Sequence, residues 1–312
     1  MAIVKPSEMN FANKNFIMIL TGLPGVGKTT LALSAPDPVL IDADQGIVRV
    51  RPEHRKDSSV CQTYEELLAD VKSFYGAYKT VVIDTGGALI DMLKDWAMRT
   101  EPSANKKNGG ISQTGFGIVK SEFLRLSAEL RRHFNVIFIF HVAKDRNGED
   151  VYYDLICEGS AKNSVWQPAD VGAYMYISNG ERYLGFTPTA NYTAKAAYGL
   201  EGIVKVPKLT SDQPNTLVTD LFNTMRSTLE AENAQGEKEQ EQYETAMAQG
   251  REIIAAVDDG ASATDASKVL KNLPHALTSQ KELSALLKQR VAELGLVWSK
   301  SARAYVAEEG EQ

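Results

Sequence analysis

One stretch constrains the fold more than any other: residues 22–30, GLPGVGKTT, fit the pattern G-x-x-x-x-G-K-[ST]. Glycines let backbone amides turn inward around a phosphate, and a helix that starts there adds the positive end of its dipole. The apolar run FIMIL precedes the stretch, and the helical segment TLALSA follows it. A glycine-rich turn with a chance lysine is the alternative, which these flanking segments disfavour. The sequence therefore predicts a phosphate-binding loop between a buried strand and a helix.

The residues of this loop have separate predicted roles. Lys28 is expected to reach the β- and γ-phosphates of a nucleotide, and the Thr29 hydroxyl is expected to ligate Mg²⁺. The predicted nucleotide contacts are Gly22, Pro24, Gly25, Val26, Gly27, Lys28, Thr29 and Thr30.

Apolar runs alternate with amphipathic helical stretches over the first two thirds of the chain, which is typical of a mostly parallel α/β sheet covered by helices. The runs at residues 16–20, 39–43, 80–84 and 136–140 are almost continuously apolar, as strands buried on both faces should be. A fifth run, at residues 171–177, leads into a predicted hairpin with Asn179-Gly180 as its turn.

Acidic residues end two of these strands. Asp84 closes the run VVID and is the predicted metal-orienting acid, with Thr85 beside it; an aspartate that only caps the next helix is the alternative. Asp42 and Asp44 end another strand on the same predicted face, where a carboxylate would orient or deprotonate an attacking water. An aspartate-rich strand end would look the same, so their role and the choice between them stay open.

A histidine, His141, ends the strand VIFIF. A polar side chain at the carboxyl end of a parallel strand faces the ligand crevice, where it would contact a γ-phosphate. The presence of that phosphate would then affect the loop that follows the histidine. A histidine satisfied by local backbone is the alternative.

Charge and cysteine content exclude several classes of protein. The net charge is −6, and residues 231–312 carry 9 basic and 14 acidic side chains, so neither part has the basic excess of a protein that binds nucleic acid by charge alone. Two cysteines, Cys61 and Cys157, are too few for a disulfide-stapled scaffold or a four-cysteine metal site.

No apolar run reaches the roughly 18–20 residues of a membrane helix, and the first residues lack a signal-peptide core. We expect a cytoplasmic protein without membrane contact.

Composition changes near residue 230, where the polar, acidic stretch LEAENAQGEKEQEQYE indicates a linker or an exposed helix. Three helical segments follow, the last with Ser279 and Glu282 as a predicted capping box and Gly295 after its end, and then a hairpin or a further helix. We therefore divide the chain into a core at 1–229, an acidic linker at 230–242 and a small helical domain at 243–312. The basic residues of that domain form either a DNA- or partner-binding face or the solvated side of a small bundle: Lys281, Lys288, Arg290, Lys300 and Arg303.

The order of the phosphate loop, the IDAD strand, the VVIDT strand and the IFIFH strand resembles the RecA/RadA-type ATPase core. More narrowly, it resembles phage-encoded RecA-like proteins, the core-only recombinases and single-strand-annealing ATPases also described as phage AAA-domain nucleotide-binding proteins. The resemblance covers residues 14–225. It implies a RecA-like P-loop NTPase fold, ATP and Mg²⁺ as ligands, and the cytosol of a bacterial host as the location.

The resemblance also assigns roles to single residues. Asp44 takes the place of the acid that activates water, where family members usually have glutamate, and Asp84 matches the Walker B acid. His141 matches the residue that senses the γ-phosphate, usually a glutamine. Lys195, in NYTAKAAYG, resembles the lysine that such proteins donate across a subunit interface to the neighbour's γ-phosphate. The implied catalytic set is Lys28, Asp44, Asp84, His141 and Lys195.

Two segments correspond to the loops with which RecA-like proteins hold single-stranded DNA, namely residues 99–117 and 144–163. Both combine glycines with cations for phosphates and aromatic rings for stacking, although an ordinary long surface loop has the same composition. The residues concerned are Lys106, Lys107 and Phe116 in the first segment and Lys144, Arg146, Tyr152, Tyr153 and Lys162 in the second.

The leading hypothesis is an ATPase that binds single-stranded DNA in phage recombination or repair and that assembles into a ring or a filament. An alternative is a nucleotide-gated adaptor or loader, which hydrolyses ATP poorly and recruits a single-strand-binding or replication protein through its carboxy-terminal domain. A third hypothesis is a small P-loop kinase. It is disfavoured because the sequence shows no arginine-rich lid segment. Annealing, strand exchange and loading are not distinguished by the sequence.

Overall fold

A computed structural model describes residue 9 and residues 11–147, 150–157, 161–208 and 214–307. The chain divides into two compact units. We call Phe11–Leu229 the core unit, and the other unit, which includes the chain from Glu230 onward, the tail unit.

The core unit is built on one sheet, whose central strands are parallel as the apolar runs predicted. The order across the sheet is β3-β2-β4-β5-β1-β7-β8-β9, with β6 paired to β5. Because β5 lies between β1 and β4, the strand that leads into the phosphate loop and the strand that ends at Asp84 are not neighbours. The strands are β1 (Ile17–Gly22), β2 (Pro38–Asp42), β3 (Ser58–Ser59), β4 (Thr80–Asp84), β5 (Asn135–Asn147), β6 (Asp150–Leu155), β7 (Val171–Ser178), β8 (Glu181–Gly185) and β9 (Ile203–Val206).

Successive side chains of a strand point to opposite faces of the sheet, so a continuously apolar strand makes both faces apolar. Helices cover both faces of this sheet. Ile17 and Ile19 of β1 belong to the apolar cluster that α2, α3 and α4 complete. Met18 and Leu20 belong to a second cluster, with α1 and the first turns of α6. All residues of β1, β2 and β4 are buried, which confirms the prediction of strands buried on both faces. The helices are α1 (Lys28–Ala32), α2 (Tyr64–Ser73), α3 (Gly86–Thr100), α4 (Gln113–His133), α5 (Ala161–Ser164) and α6 (Leu217–Ala255).

The turn between β7 and β8 has the predicted form. Asn179 and Gly180 have φ angles of 51° and 78°, so both central residues are in the left-handed region, as a type I′ hairpin turn requires.

The tail unit consists of three packed helical segments and a hairpin. The end of α6, α7 (Gly260–Lys271) and α8 (Ser279–Glu293) enclose a small apolar core that includes Ile254, Leu283 and Leu287. The described chain closes with the antiparallel hairpin β10 (Leu296–Ser299) and β11 (Ala304–Ala307), the first of the two alternatives that the sequence left open. Gly295, with φ of 63°, follows α8 as predicted.

The acidic stretch at 230–242 is helical and lies within α6, so the second alternative, an exposed helix, describes it. Side-chain hydrogen bonds four residues apart support the helix there, from Asn233 to Glu237, Gln235 to Glu239 and Gln240 to Glu244.

The predicted capping box of α8 is wrong. Thr278 precedes the helix, and its hydroxyl bonds to Glu282. The Ser279 hydroxyl, which is fully buried, accepts a hydrogen bond from the Ala276 backbone instead. The N-cap residue is therefore Thr278, one residue earlier than the sequence pattern indicated, and its side chain accepts no backbone N–H of the helix.

The two segments predicted to be long loops are more ordered in structure than expected. Residues 144–147 continue β5, which pairs with β6, so half of the second segment belongs to two antiparallel strands. In the first, α4 begins at Gln113, and Phe116 lies in its first turns. Residues 148–149 and 158–160 and the side chains of Arg146 and Asn163 lie outside the described part of the chain. Of the helices that the structure describes, none has the length and apolar character needed to cross a membrane.

Candidate nucleotide-binding site

The phosphate loop connects β1 to α1 in the arrangement that the sequence predicted. Gly25 and Gly27 have φ angles of 79° and 102°, which glycine adopts without the strain that a side chain would cause. These conformations turn the loop back on itself directly before the first turn of α1. The backbone therefore has the form that a phosphate cradle needs.

Lys28 points back into this loop. Its ammonium donates hydrogen bonds to the carbonyl oxygens of Gly22 and Leu23, both at 2.9 Å, and lies 3.0 Å from Nδ1 of His141. Burial lowers the pKa of Lys28 to about 8, and the carboxylates of Asp84 and Asp44 oppose that shift. A nucleotide phosphate would offer charged acceptors to the same ammonium, and such bonds are stronger than those to carbonyls.

The hydroxyl of Thr29 donates to Oδ2 of Asp84 at 2.5 Å, across β5. Burial raises the pKa of the Asp84 carboxyl to about 6, and the Thr29 hydroxyl opposes the shift. A hydroxyl and a carboxylate are hard oxygen ligands of the kind that Mg²⁺ takes. Among the described residues no three His, Cys, Asp or Glu side chains form a metal cluster, so the phosphates and waters would supply the remaining ligands of such an ion.

Thr85, next to Asp84, is engaged in the fold. Its hydroxyl accepts the backbone N–H of Ala88 at 3.1 Å and caps α3. The helix cap that the sequence offered as an alternative role for Asp84 is thus supplied by Thr85.

His141 lies at the end of the parallel part of β5, opposite Gly22 in the register. Burial and the adjacent Lys28 ammonium lower the pKa of His141, which favours the neutral imidazole, whose Nδ1 can accept from Lys28. The following residue, Val142, begins the pairing of β5 with β6. His141 therefore joins the phosphate loop to the β5–β6 hairpin.

The two acids at the end of β2, Asp42 and Asp44, lie in different environments. Asp42 is buried and accepts the backbone N–H groups of Gly46 at 2.7 Å and Ile47 at 3.0 Å, so it holds the turn that follows the strand. Asp44 lines the cleft and forms an ion pair with Arg49 at 2.8 Å. Of the two, Asp44 is the one whose side chain lines the cleft.

The cleft has a volume of about 270 Å³. Two of the predicted contacts are not in its lining: the Gly22 carbonyl binds Lys28, and the Val26 side chain packs in the core. Lining residues that the sequence predicted are Pro24, Gly25, Gly27, Lys28, Thr29, Thr30, Asp44, Asp84 and His141, and those that it did not are Gly46, Arg49 and Val50.

Sequence reasoning also missed Arg182 of β8. Its Nε donates to the carbonyl of Val26 at 2.8 Å, and its side chain lies against Gly27. An isolated arginine in a hairpin 156 residues from the loop gives no local signal of this contact. Arg182 thus ties the phosphate loop to the antiparallel edge of the sheet.

Lys195 does not line this cleft. It is exposed, and its ammonium donates to the carbonyl of Ala169. Its backbone pairs with Gly172 in β7. The structure therefore places Lys195 apart from the other four residues of the implied catalytic set.

Fold and cleft together define a P-loop nucleotide-binding protein. A family model described as AAA domain matches residues 14–198, which is more than half of the chain. The chain therefore belongs to the AAA-domain family of P-loop ATPases. No curated protein matches it.

Proposed function

We propose that the protein is a RecA-like ATPase of the phage recombination class, which binds single-stranded DNA in a manner controlled by ATP. The observation that carries this proposal is the 3.0 Å contact between Lys28 and His141. One end of the contact is the phosphate loop, and the other is the strand that continues into the β5–β6 hairpin. A ligand that draws Lys28 away would change the bonding of His141 and, through it, the position of the hairpin.

Hydrolysis would use the residues of the cleft. The Lys28 ammonium neutralises charge on the β- and γ-phosphates, and the Asp44 carboxylate accepts a proton from the attacking water. Asp44 is shorter than the glutamate of RecA-like proteins, and Arg49 holds it by an ion pair. Thr29 and Asp84 would hold Mg²⁺, which when bound supplies further positive charge at the phosphates.

DNA contact would come from exposed cations at two places. Lys106 and Lys107 are exposed in a tight turn, closed by hydrogen bonds between Lys106 and Gly110 and between Gly109 and Lys106. Lys144 is exposed on β5, and Tyr152 and Tyr153 follow on β6 half-buried. Cations for phosphates and aromatic rings for bases are the two elements of single-strand binding without sequence preference.

A neighbouring subunit would complete the cleft. Lys195 is exposed and outside its own cleft, as a residue that acts on a neighbour's γ-phosphate must be. We propose assembly into a ring or filament, with Lys195 as the residue contributed across the interface. Mass measurement in solution with ATP, with ADP and without nucleotide tests this directly: a mass that stays monomeric in all three states would refute assembly.

The experiment for DNA binding is the fluorescence anisotropy of a labelled oligo-dT with a non-hydrolysable ATP analogue or with ADP. The wild type should bind at least about tenfold more tightly with the analogue, and Lys106→Gln with Lys107→Gln should weaken binding in that state. The matched control is Lys56→Gln with Lys72→Gln, which removes two exposed lysines elsewhere in the core unit. Equal affinity in both nucleotide states, or no binding, would refute the proposal and favour the adaptor.

A further inference from the structure

The tail unit segregates its charges along the chain. Residues 231–265 carry nine carboxylates and two cations, whereas residues 266–307 carry seven cations and two carboxylates. Both carboxylates of the second group are engaged within the fold: Glu282 accepts from the Tyr243 and Thr278 hydroxyls, and Glu293 accepts from Gln289 and pairs with Arg290. Residues 266–307 therefore have a net charge of +5 in an acidic protein, and we call the exposed sides of α8 and of the β10–β11 turn the tail surface. Three further carboxylates, in residues 308–312, lie beyond the described residues.

The cations of this surface lie on two elements. Lys281 and Lys288 lie on one face of α8, together with Ala285 and Ala292, because positions i, i+4, i+7 and i+11 coincide on a helix. All four residues are exposed. The opposite side of α8 carries Leu283, Leu287 and Val291 into the small core. The exposed face thus combines two charges with small side chains that let another molecule approach the helix closely.

The hairpin contributes the other two cations. Lys300 and Arg303 are exposed at the two ends of the four-residue turn between β10 and β11. The hairpin is fixed to the helices, because Tyr305 packs on the tail core and its N–H donates to the Thr264 hydroxyl at 2.9 Å. Among the described residues, none of Lys281, Lys288, Lys300 and Arg303 forms an ion pair.

The spacing of these elements fits double-stranded DNA. The major groove is about 12 Å wide and admits one α-helix, and phosphate backbones border it on both sides. β10 starts three residues after α8 ends, and its four residues span about 13 Å at the usual rise per strand residue. Along β10, the turn with Lys300 and Arg303 is therefore about one groove width from the start of the strand, which follows α8 directly.

We propose that the tail unit is a binding module for double-stranded DNA, with the Lys281–Lys288 face of α8 in the major groove and the β10–β11 turn on the adjacent phosphates. This site differs from the single-strand contacts proposed for the core unit, and it does not rest on them. A protein of this kind would hold a duplex at one unit while the other unit acts on single strands. The contacts that this surface offers are cations for phosphates, so the binding is not expected to depend on base sequence.

The test is the anisotropy of a labelled duplex of about 20 base pairs, titrated with the full-length protein without nucleotide at several salt concentrations. The variant carries Lys281→Gln, Lys288→Gln, Lys300→Gln and Arg303→Gln. The control carries Lys56→Gln, Lys72→Gln, Lys208→Gln and Lys238→Gln, which remove four exposed lysines outside the proposed surface. Both variants lower the net charge by the same amount.

The wild type and the control should bind the duplex equally, and the tail variant at least about tenfold less tightly. The slope of log affinity against log salt should also become shallower, by about 0.9 for each phosphate that the variant no longer neutralises. An absence of duplex binding by the wild type in 50 mM salt would overturn the proposal, as would equal weakening in both variants. The ATPase rate of the tail variant, measured separately, reports on the core unit, so the two proposals fail independently.

Discussion

Asp170, the residue before β7, holds the beginning of β1, the strand that leads into the phosphate loop. One carboxylate oxygen accepts the backbone N–H of Ile17 at 2.9 Å, and the other accepts from Arg131 at 2.7 Å. The Asp170 side chain is 7% exposed, and Ile17 is buried. Replacement by alanine would leave the buried Ile17 N–H without its side-chain acceptor.

The expected cost of Asp170→Ala follows from these contacts. A buried N–H without a partner costs about 1–3 kcal/mol, and the Arg131 bond adds about 1 kcal/mol, because that guanidinium is 36% exposed and partly screened. The total is about 3 kcal/mol. In a unit of this size each kcal/mol lowers the unfolding midpoint by about 2–4 °C, so we expect a decrease of about 6–12 °C.

Thermal unfolding followed by circular dichroism measures this decrease, and Arg132→Ala is the matched control. Arg132 is the neighbour of Arg131, but its ion pair with Glu129 is exposed and is worth less than about 0.5 kcal/mol. A midpoint of Asp170→Ala no lower than that of Arg132→Ala would refute the reasoning.

Three further predictions concern single side chains. Arg49→Gln should raise the KM for ATP several-fold at an unchanged unfolding midpoint, because Arg49 lines the cleft while its ion pair with Asp44 is exposed; an unchanged KM would contradict this. An NMR titration should give His141 a pKa below 6.5, because burial and the Lys28 ammonium disfavour its charged form. The folded protein therefore loses stability as pH falls below 6.5, since the unfolded chain binds the proton more readily. A measured His141 pKa at or above 6.5 would exclude that cause. Burial raises the pKa of the Cys61 and Cys157 thiols to about 11. Iodoacetamide at pH 8 should therefore modify them about a hundredfold more slowly than an ordinary thiol. Rapid modification of the native protein would show that the two thiols are not buried.

The sequence predicted correctly those helices, strands and turns whose conformation is determined by neighbouring residues. The strand, loop and first helix around Lys28 follow from glycine spacing and apolar runs, and the Asn179-Gly180 turn follows from the backbone preferences of those two residues. The apolar run that ends at Asp84 likewise predicted β4 with its correct bounds. In each case a few neighbouring residues determine the conformation.

Contacts between distant residues could not be read in this way. Arg182 reaches the phosphate loop from 156 positions along the chain, and Asp170 reaches Ile17 from 153. Arg49 lines the cleft because the Asp42 carboxylate accepts the backbone N–H groups of Gly46 and Ile47 and so fixes the turn between residues 42 and 49. Bonds from a side chain to the backbone of this kind leave no pattern in the sequence. The helix through residues 230–242 has few buried residues to give a periodic signal, and hydrogen bonds between exposed side chains four residues apart support it instead.

The release of inorganic phosphate from ATP, with and without single-stranded DNA, tests the central claim most directly. We expect Mg²⁺-dependent release by the wild type that single-stranded DNA stimulates, and a rate at least about a hundredfold lower in Lys28→Ala. A wild-type rate in Lys28→Ala would contradict the assignment of the cleft. A wild-type rate that DNA leaves unchanged would contradict the link from His141 to the β5–β6 hairpin.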